Sequence, residues 1–208
     1  MYAAIKRVRE ETGMDIEMHT HNDFGMAVAN AIAGFHGGAT WVNTTIGGLG
    51  ERAGNAAYEE VVMALMCLEG LDMSQHDTKR FTEFVTYVTE ASSRKVHPAK
   101  PIVGSNIFAH ESGIHADGII KNPKTYEVFD PSLVGATRAV IVGKHSGSRT
   151  LEMKFEFFGA PIPEPEARAL LPFVRQRAIE LKRSLTDAEL MSLYKTHENF
   201  LKQVTASK

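Results

Sequence analysis

The sequence predicts an α/β fold, with a parallel βα arrangement over residues 1–70 followed by mainly helical subdomains. Three observations carry this. Helical and strand-like patterns alternate through the first seventy residues, glycines stand where the helices should stop, and polar motifs follow directly on the strand-like runs. Parallel α/β folds gather their sites at the C-terminal ends of strands, which is where those motifs fall.

Residues 2 to 12 read as a helix stopped at Gly13, and Asp15-Ile16-Glu17-Met18-His19 as a strand. A helix follows over roughly 25 to 36, where Met26, Ala29, Ile32, Ala33 and Phe35 recur at helical spacing before Gly37-Gly38. Trp41-Val42-Asn43-Thr44-Thr45-Ile46 is rich in β-branched residues and predicts the next strand. A glycine-rich turn then leads to a third helix, about 55 to 68, with Ala57, Val61, Ala64, Leu65 and Leu68 as its apolar positions. Cys67 sits among these apolar residues and is expected in the core.

Residues 71–103 read as a helical linker subdomain. Thr78 is expected to cap a helix striped by Phe81, Phe84, Val85 and Val88, and Val96-His97-Pro98-Ala99-Lys100-Pro101 breaks it. Residues 104–160 form a mixed subdomain, rich in glycine and polar groups, whose interleaved Ile, Val and Phe argue for order. Pro161, Pro163 and Pro165 punctuate the chain before a helical subdomain at 161–208, whose second helix opens on Thr186 with Glu189 in capping-box spacing. No repeat and no low-complexity tract is present.

Composition excludes several function classes. A formal charge of −2 over 208 residues, with 43% hydrophobic and 23% charged, implies neither a nucleic-acid nor a membrane surface. One cysteine allows no disulfide framework within a chain and points to a reducing, cytoplasmic setting. The N-terminus is too charged for a signal sequence, and no apolar run approaches the roughly 18 to 20 residues that span a bilayer.

The most informative stretch is His19-Thr20-His21-Asn22-Asp23, at the end of the first strand. Residues two apart on a strand share a face, so His19 and His21 can present two imidazoles to one divalent metal. Gly50-Glu51-Arg52-Ala53-Gly54-Asn55 follows the second strand and offers an amide ligand in Asn55.

These motifs carry a resemblance. His19-Thr20-His21-Asn22-Asp23, the run from Asn43 to Asn55, His110-Glu111-Ser112-Gly113-Ile114-His115, Phe129-Asp130-Pro131 and Gly143-Lys144-His145-Ser146-Gly147 occur here in the same order as in the homocitrate synthase and 2-isopropylmalate synthase family. The chain resembles the C-terminal half of such an enzyme over roughly residues 15 to 150. Its terminal helices resemble those of homocitrate synthases of the nitrogen-fixation type.

The resemblance implies the C-terminal part of a TIM (β/α)8 barrel followed by helical subdomains. It implies a condensation of acetyl-CoA with a 2-oxoacid, 2-oxoglutarate giving homocitrate, then thioester hydrolysis; 2-isopropylmalate, citramalate and Re-citrate synthases are the alternatives. Homocitrate is preferred because only two short helices follow residue 160, whereas leucine-pathway members usually carry a further regulatory domain. The divalent metal, Mg²⁺, Mn²⁺ or Zn²⁺, would be held by His19, His21 and Asn55, and His115 and Tyr126 would serve as acid/base and proton-donating or orienting groups. The family's aspartate ligand has no counterpart here, since the chain begins about where a sixth barrel helix would lie. An N-terminal barrel half is therefore expected as a partner, and the resemblance further implies a homodimer in which the subdomain carrying His115 reaches into the neighbouring subunit's barrel.

Other readings stay open. Arg52 could bind substrate or brace its turn through an ion pair. His110 and Glu111 could be catalytic or structural, and Lys144, His145 and Ser146 could meet a phosphate or CoA or form a polar turn. Gly48-Leu49-Gly50-Glu51-Arg52-Ala53 fits a dinucleotide fingerprint, but no second parallel strand with a terminal acid follows the helix. A reading of another class is a non-catalytic remnant or assembly module, because two barrel strands cannot close a sheet of eight.

Overall fold

The computed structural model describes residues 1–110 and 127–206. They divide into two compact units. The first holds Met1–Ile107 with Pro131–Ala136, and the second holds the described residues of Phe108–Asp130 and Thr137–Lys208.

The first unit is built on a parallel βαβ motif. Helix α1 (Tyr2–Thr12) ends at Gly13, whose φ of 64° is left-handed and available to glycine without strain. Strand β1 (Glu17–His19) leads through α2 (Ala27–His36) to β2 (Trp41–Asn43), and the two strands pair in parallel with Glu17 opposite Trp41 and His19 opposite Asn43. Helix α3 (Tyr58–Cys67) follows, then a 3₁₀ turn at Thr78–Arg80 and α4 (Phe81–Ala91). A second 3₁₀ turn, Pro131–Val134, returns to this unit and its Val134 carbonyl accepts the Thr82 hydroxyl at 2.6 Å.

The predicted second strand is shorter than its β-branched run, because Ile46–Gly48 turns as a 3₁₀ segment with Gly47 at φ 68°. The buried stripes also differ from the predicted ones. Helix α2 buries Ala27, Ala31 and Gly34, while Met26 and Phe35 face solvent. Small residues win this face because α2 lies against β1: a Cβ at Gly34 would stand 2.5 Å from Met18 Cε. Ala27, Ala31, Ala56, Val61 and Leu65 form the local core with Val28, Ile32, Val42 and Met73 against it.

Two further expectations are corrected. Cys67 is exposed, since it is the last residue of α3 and the covering neighbours end before it; Leu68, beside it, is 74% exposed. Thr78 lies inside the 3₁₀ turn at Thr78–Arg80 and makes no side-chain cap; on α4, Phe81, Val85 and Thr89 are buried while Phe84 is exposed.

The second unit contains β3 (Ala109–His110) paired in parallel with β4 (Ala139–Val140) and the helices α5 (Ser148–Phe157), α6 (Glu164–Leu181) and α7 (Asp187–Ala206). Proline at the N-cap and in the first turn of α6 suits its missing donor and fixed φ. The capping box at α7 is formed: Thr186 N–H donates to Glu189 Oε2 at 2.8 Å and Glu189 N–H to Thr186 Oγ1 at 3.3 Å. Leu151, Phe155, Leu170, Val174, Leu190 and Leu201 close the core, each contributing roughly 1.5–3 kcal/mol by burial.

Candidate metal centre

The site is assembled at the C-terminal end of β1. His19 ends that strand, Thr20 turns inward and donates its hydroxyl to the Ala27 carbonyl at 3.1 Å, and His21 returns to the face of His19. Two groups beyond β1 fix the exit: Asn22 N–H donates to the Gly54 carbonyl at 2.9 Å, and Ala27 N–H to Asn22 Oδ1 at 3.1 Å. The His21 backbone pairs with Asn55 in an isolated antiparallel bridge.

The two imidazoles converge. His19 Nε2 and His21 Nε2 lie 3.3 Å apart, with ring planes at 80°. With metal–nitrogen bonds of about 2.0–2.1 Å, two ligands of one cation stand about 3.0 Å apart in octahedral and about 3.4 Å in tetrahedral geometry. The observed separation lies between these.

The tautomer of His19 follows from its neighbours. Asn43 donates its amide to Glu17 Oε1 at 3.0 Å, which turns its own oxygen toward His19 Nδ1 at 3.3 Å. That ring nitrogen is the donor to Asn43, and in the neutral ring this leaves Nε2 as a lone pair toward His21. Asn43 lies opposite His19 in the strand register, and Glu17 shares the face of His19.

The third candidate donor is an amide oxygen. Asn55 Oδ1 and His21 Nδ1 are buried and have no hydrogen-bond partner among the described residues. An orphaned buried acceptor costs about 1–3 kcal/mol unless something meets it, and a cation would. Gly50 makes room for the Asn55 amide, since a Cβ there would lie 2.7 Å from Oδ1. Among the described residues no three His, Cys, Asp or Glu side chains come together; the candidate donors are the two imidazoles and the Asn55 amide. That nitrogen and oxygen set fits a borderline divalent cation.

Arg52 does not point free into the site. Its Nε and Nη2 form a fork on Asp23, each bond 3.0 Å long, and this hydrogen-bonded guanidinium holds the Asp23 carboxyl below its usual range. Its φ of 54° places it among the few non-glycine residues in the left-handed region. The partner is Asp23 across the two loops rather than its neighbour Glu51.

The remaining candidates lie elsewhere or outside the described residues. Ser146 is buried and accepts the Gly143 N–H at 3.0 Å, and its carbonyl accepts Arg175 at 3.0 Å. Lys144 and His145 line a cleft of about 500 Å³ with Lys182, Arg183 and Ser184. His110 contributes its backbone to β3; Glu111, His115 and Tyr126 lie outside the described residues.

Comparison with known proteins now decides the family. A model described as HMGL-like matches residues 1–88, and one described as homocitrate synthase post-HMGL domain-like matches residues 102–182. The chain is 56% identical over 193 residues to 2-isopropylmalate synthase 2 of Caldanaerobacter subterraneus subsp. tengcongensis, covering 93% of this chain and 50% of that protein. It is 51% identical over 194 residues to homocitrate synthase 1 of Nostoc sp., covering 93% and 51%. The chain belongs to the homocitrate synthase and 2-isopropylmalate synthase family.

The family also reaches (R)-citramalate synthase of Methanocaldococcus jannaschii, 40% identical over 188 residues that make up 90% of this chain and 38% of that protein. The chain thus spans about half the length, or less, of the relatives it matches. His19, His21, Arg52 and Asn55 fall within the HMGL-like match, and His115, Tyr126 and Gly143–Gly147 within the second. No helix among the described residues is long and apolar enough to cross a membrane.

Proposed function

We propose that the chain is the C-terminal part of an acyl-CoA-dependent 2-oxoacid synthase in which His19, His21 and Asn55 hold a divalent metal. The observation that carries this reading is the pair of imidazole nitrogens 3.3 Å apart, together with an orphaned amide oxygen on Asn55, whose backbone bridges to that of His21. When bound, such a cation supplies Lewis-acid polarisation of a 2-oxoacid's ketone.

The other steps fall to side chains. His115 takes a proton from the methyl group of acetyl-CoA, breaking that C–H bond, and the resulting carbon nucleophile bonds to the ketone carbon. Tyr126 gives a proton to the ketone oxygen as it becomes a hydroxyl, or orients it. Water then cleaves the thioester, releasing CoA and a new carboxylate. Arg52, locked to Asp23, lies beside the loop of Asn55 and is the candidate for the carboxylate of the 2-oxoacid.

In this proposal residues 1–70 are the last βα units of a TIM barrel, and an N-terminal barrel half supplies the remaining metal ligand. The parallel β1–α2–β2 order and the HMGL-like match support it. So does exposed apolar surface at Phe24, 87% exposed, and Trp41, 66%. A homodimer with exchange of the subdomain bearing His115, in the cytoplasm, completes it. The preferred acceptor is 2-oxoglutarate, giving homocitrate of the nitrogen-fixation type; the homocitrate synthase description of the second match and the Nostoc relative favour it. The second reading is 2-isopropylmalate synthesis, favoured by the relative at 56% identity.

The test is thiol release from acetyl-CoA with Mg²⁺ or Mn²⁺ and, in turn, 2-oxoglutarate, 2-oxoisovalerate, pyruvate and oxaloacetate. It is run on the chain alone and with the N-terminal half of a relative's barrel. Turnover only in the complemented sample, fastest with 2-oxoglutarate, is expected. Preference for 2-oxoisovalerate selects the second reading, and no turnover from two folded partners sinks catalysis in favour of an assembly module.

A further inference from the structure

We infer that Glu59, backed by Lys100, is a positioning residue that sets the loop presenting Asn55 to the metal centre. The inference rests on the metal-binding reading above and concerns a group outside the ligand set.

Glu59 is a fully buried carboxylate in the first turn of α3. Burying a charge is expensive unless it is paired and hydrogen-bonded, and well-packed apolar residues often serve stability as well as a buried ion pair. A carboxylate at this depth calls for local partners. Glu59 Oε2 accepts the N–H of Gly47 at 3.0 Å, and Oε1 lies 3.1 Å from Lys100 Nζ. Lys100 also donates to Glu60 Oε1 at 2.7 Å and is itself largely buried. Burial alone would push the Lys100 ammonium down, but the charge of Glu59 and the bond to Glu60 outweigh it and the net direction is up. Lys100 therefore stays a cation against Glu59.

From Gly47 the connection to Asn55 is direct. Gly47 is left-handed, with φ 68°, so the chain reverses there, and the next carbonyl, of Gly48, accepts the Asn55 N–H at 3.2 Å. Gly54 closes on the same carbonyl, since a Cβ at Gly54 would lie 2.0 Å from Gly48 O. Gly50 meanwhile touches the Asn55 amide. One carboxylate thus anchors the Gly47 end of a turn whose middle is held by the Arg52–Asp23 fork, and that turn carries the amide whose oxygen is buried without a partner.

The test compares two double variants, using Mn²⁺ alone as the probe and the loss of its free-ion paramagnetic resonance signal as the readout. Glu59→Gln with Lys100→Met removes both charges but keeps an oxygen for Gly47. Glu59→Met with Lys100→Met removes the oxygen too. The first should bind Mn²⁺ within about twofold of the parent, and the second about tenfold more weakly, the lower end of what loss of an outer partner costs a metal site. Matched melting temperatures separate this from general destabilisation. Equal affinity in the two folded variants overturns the inference.

Should the Met variant fail to fold, hydrogen exchange on the unmodified chain decides: Mn²⁺ should slow the Gly47 and Asn55 amides together, and a Gly47 amide indifferent to Mn²⁺ overturns the inference. His21→Ala serves as the control. If it takes up Mn²⁺ as the parent does, the metal-centre reading itself fails, and the inference with it.

Discussion

His19 is held in place by residues that the His-x-His spacing does not reveal. Strand parity alone puts His19 and His21 on one face, and the structure brings their Nε2 atoms to 3.3 Å. The tautomer depends on Asn43, which is opposite His19 only because of the parallel register, and on Glu17 behind it. Asn43→Ala should weaken Mn²⁺ binding by roughly 10- to 100-fold with the fold intact, as loss of an outer partner does; His36→Ala, which removes an exposed partner of Glu69, should leave it unchanged. Equal affinities for parent and Asn43→Ala would refute this assignment of the tautomer. Glu189 makes a prediction of a different kind. Hydrogen bonds from Arg183 and Thr186 hold its carboxyl at about 2, below its usual 4.5. A depressed carboxyl stabilises the fold fully above its unfolded value, and that contribution fades as pH falls from about 4.5 through about 2. Thermal unfolding of parent and Glu189→Gln should therefore differ at pH 6 and converge near pH 2, and a difference that persists at low pH would refute the linkage.

In the first unit helices and strands were legible in kind and order, less so in which face they bury, whereas α5 and the β3–β4 pair of the mixed subdomain were not read from the sequence. Helical spacing in α2 was carried by its large residues, yet the face against β1 is Ala27, Ala31 and Gly34. Close approach of helix to sheet favours the smallest side chains, and periodicity weighted by size selects the opposite stripe. Gly34→Ala should accordingly overpack Met18, at 2.5 Å, and cost about 1–3 kcal/mol, read as a lowered urea midpoint; no change would mean that Met18 rearranges freely. Cys67 and Thr78 were misplaced for a related reason, because the residue pattern locates a helix better than it locates its last covered or first capped position. In the second unit, Pro172 sits inside α6, exposed, where it deletes one helical hydrogen bond. Pro172→Ala should raise stability by about 1–3 kcal/mol, measured by thermal melting, since an interior proline costs a helix about that much.

At the scale of the whole molecule, the open β1–β2 pair with Trp41 on its surface makes the tryptophan a reporter of anything that covers it. Trp41 is the only tryptophan in the chain. Its emission should be that of a solvated indole for the chain alone and shift to shorter wavelength when an N-terminal barrel half is added; an unshifted spectrum would argue against that partner. The sequence by itself determined the order of the elements in the first unit, the family through motifs spread over both units, and which side chains at His19, His21 and Asn55 are candidate donors, because residue type, strand parity and glycine stops are local properties of a chain. Tertiary structure alone decided that Asn43 faces His19, that Arg52 closes on Asp23, and that Glu59 and Lys100 meet inside the first unit. Each of those pairs joins residues far apart in sequence. Their meeting depends on strand register, loop closure and packing, which no window of neighbouring residues contains.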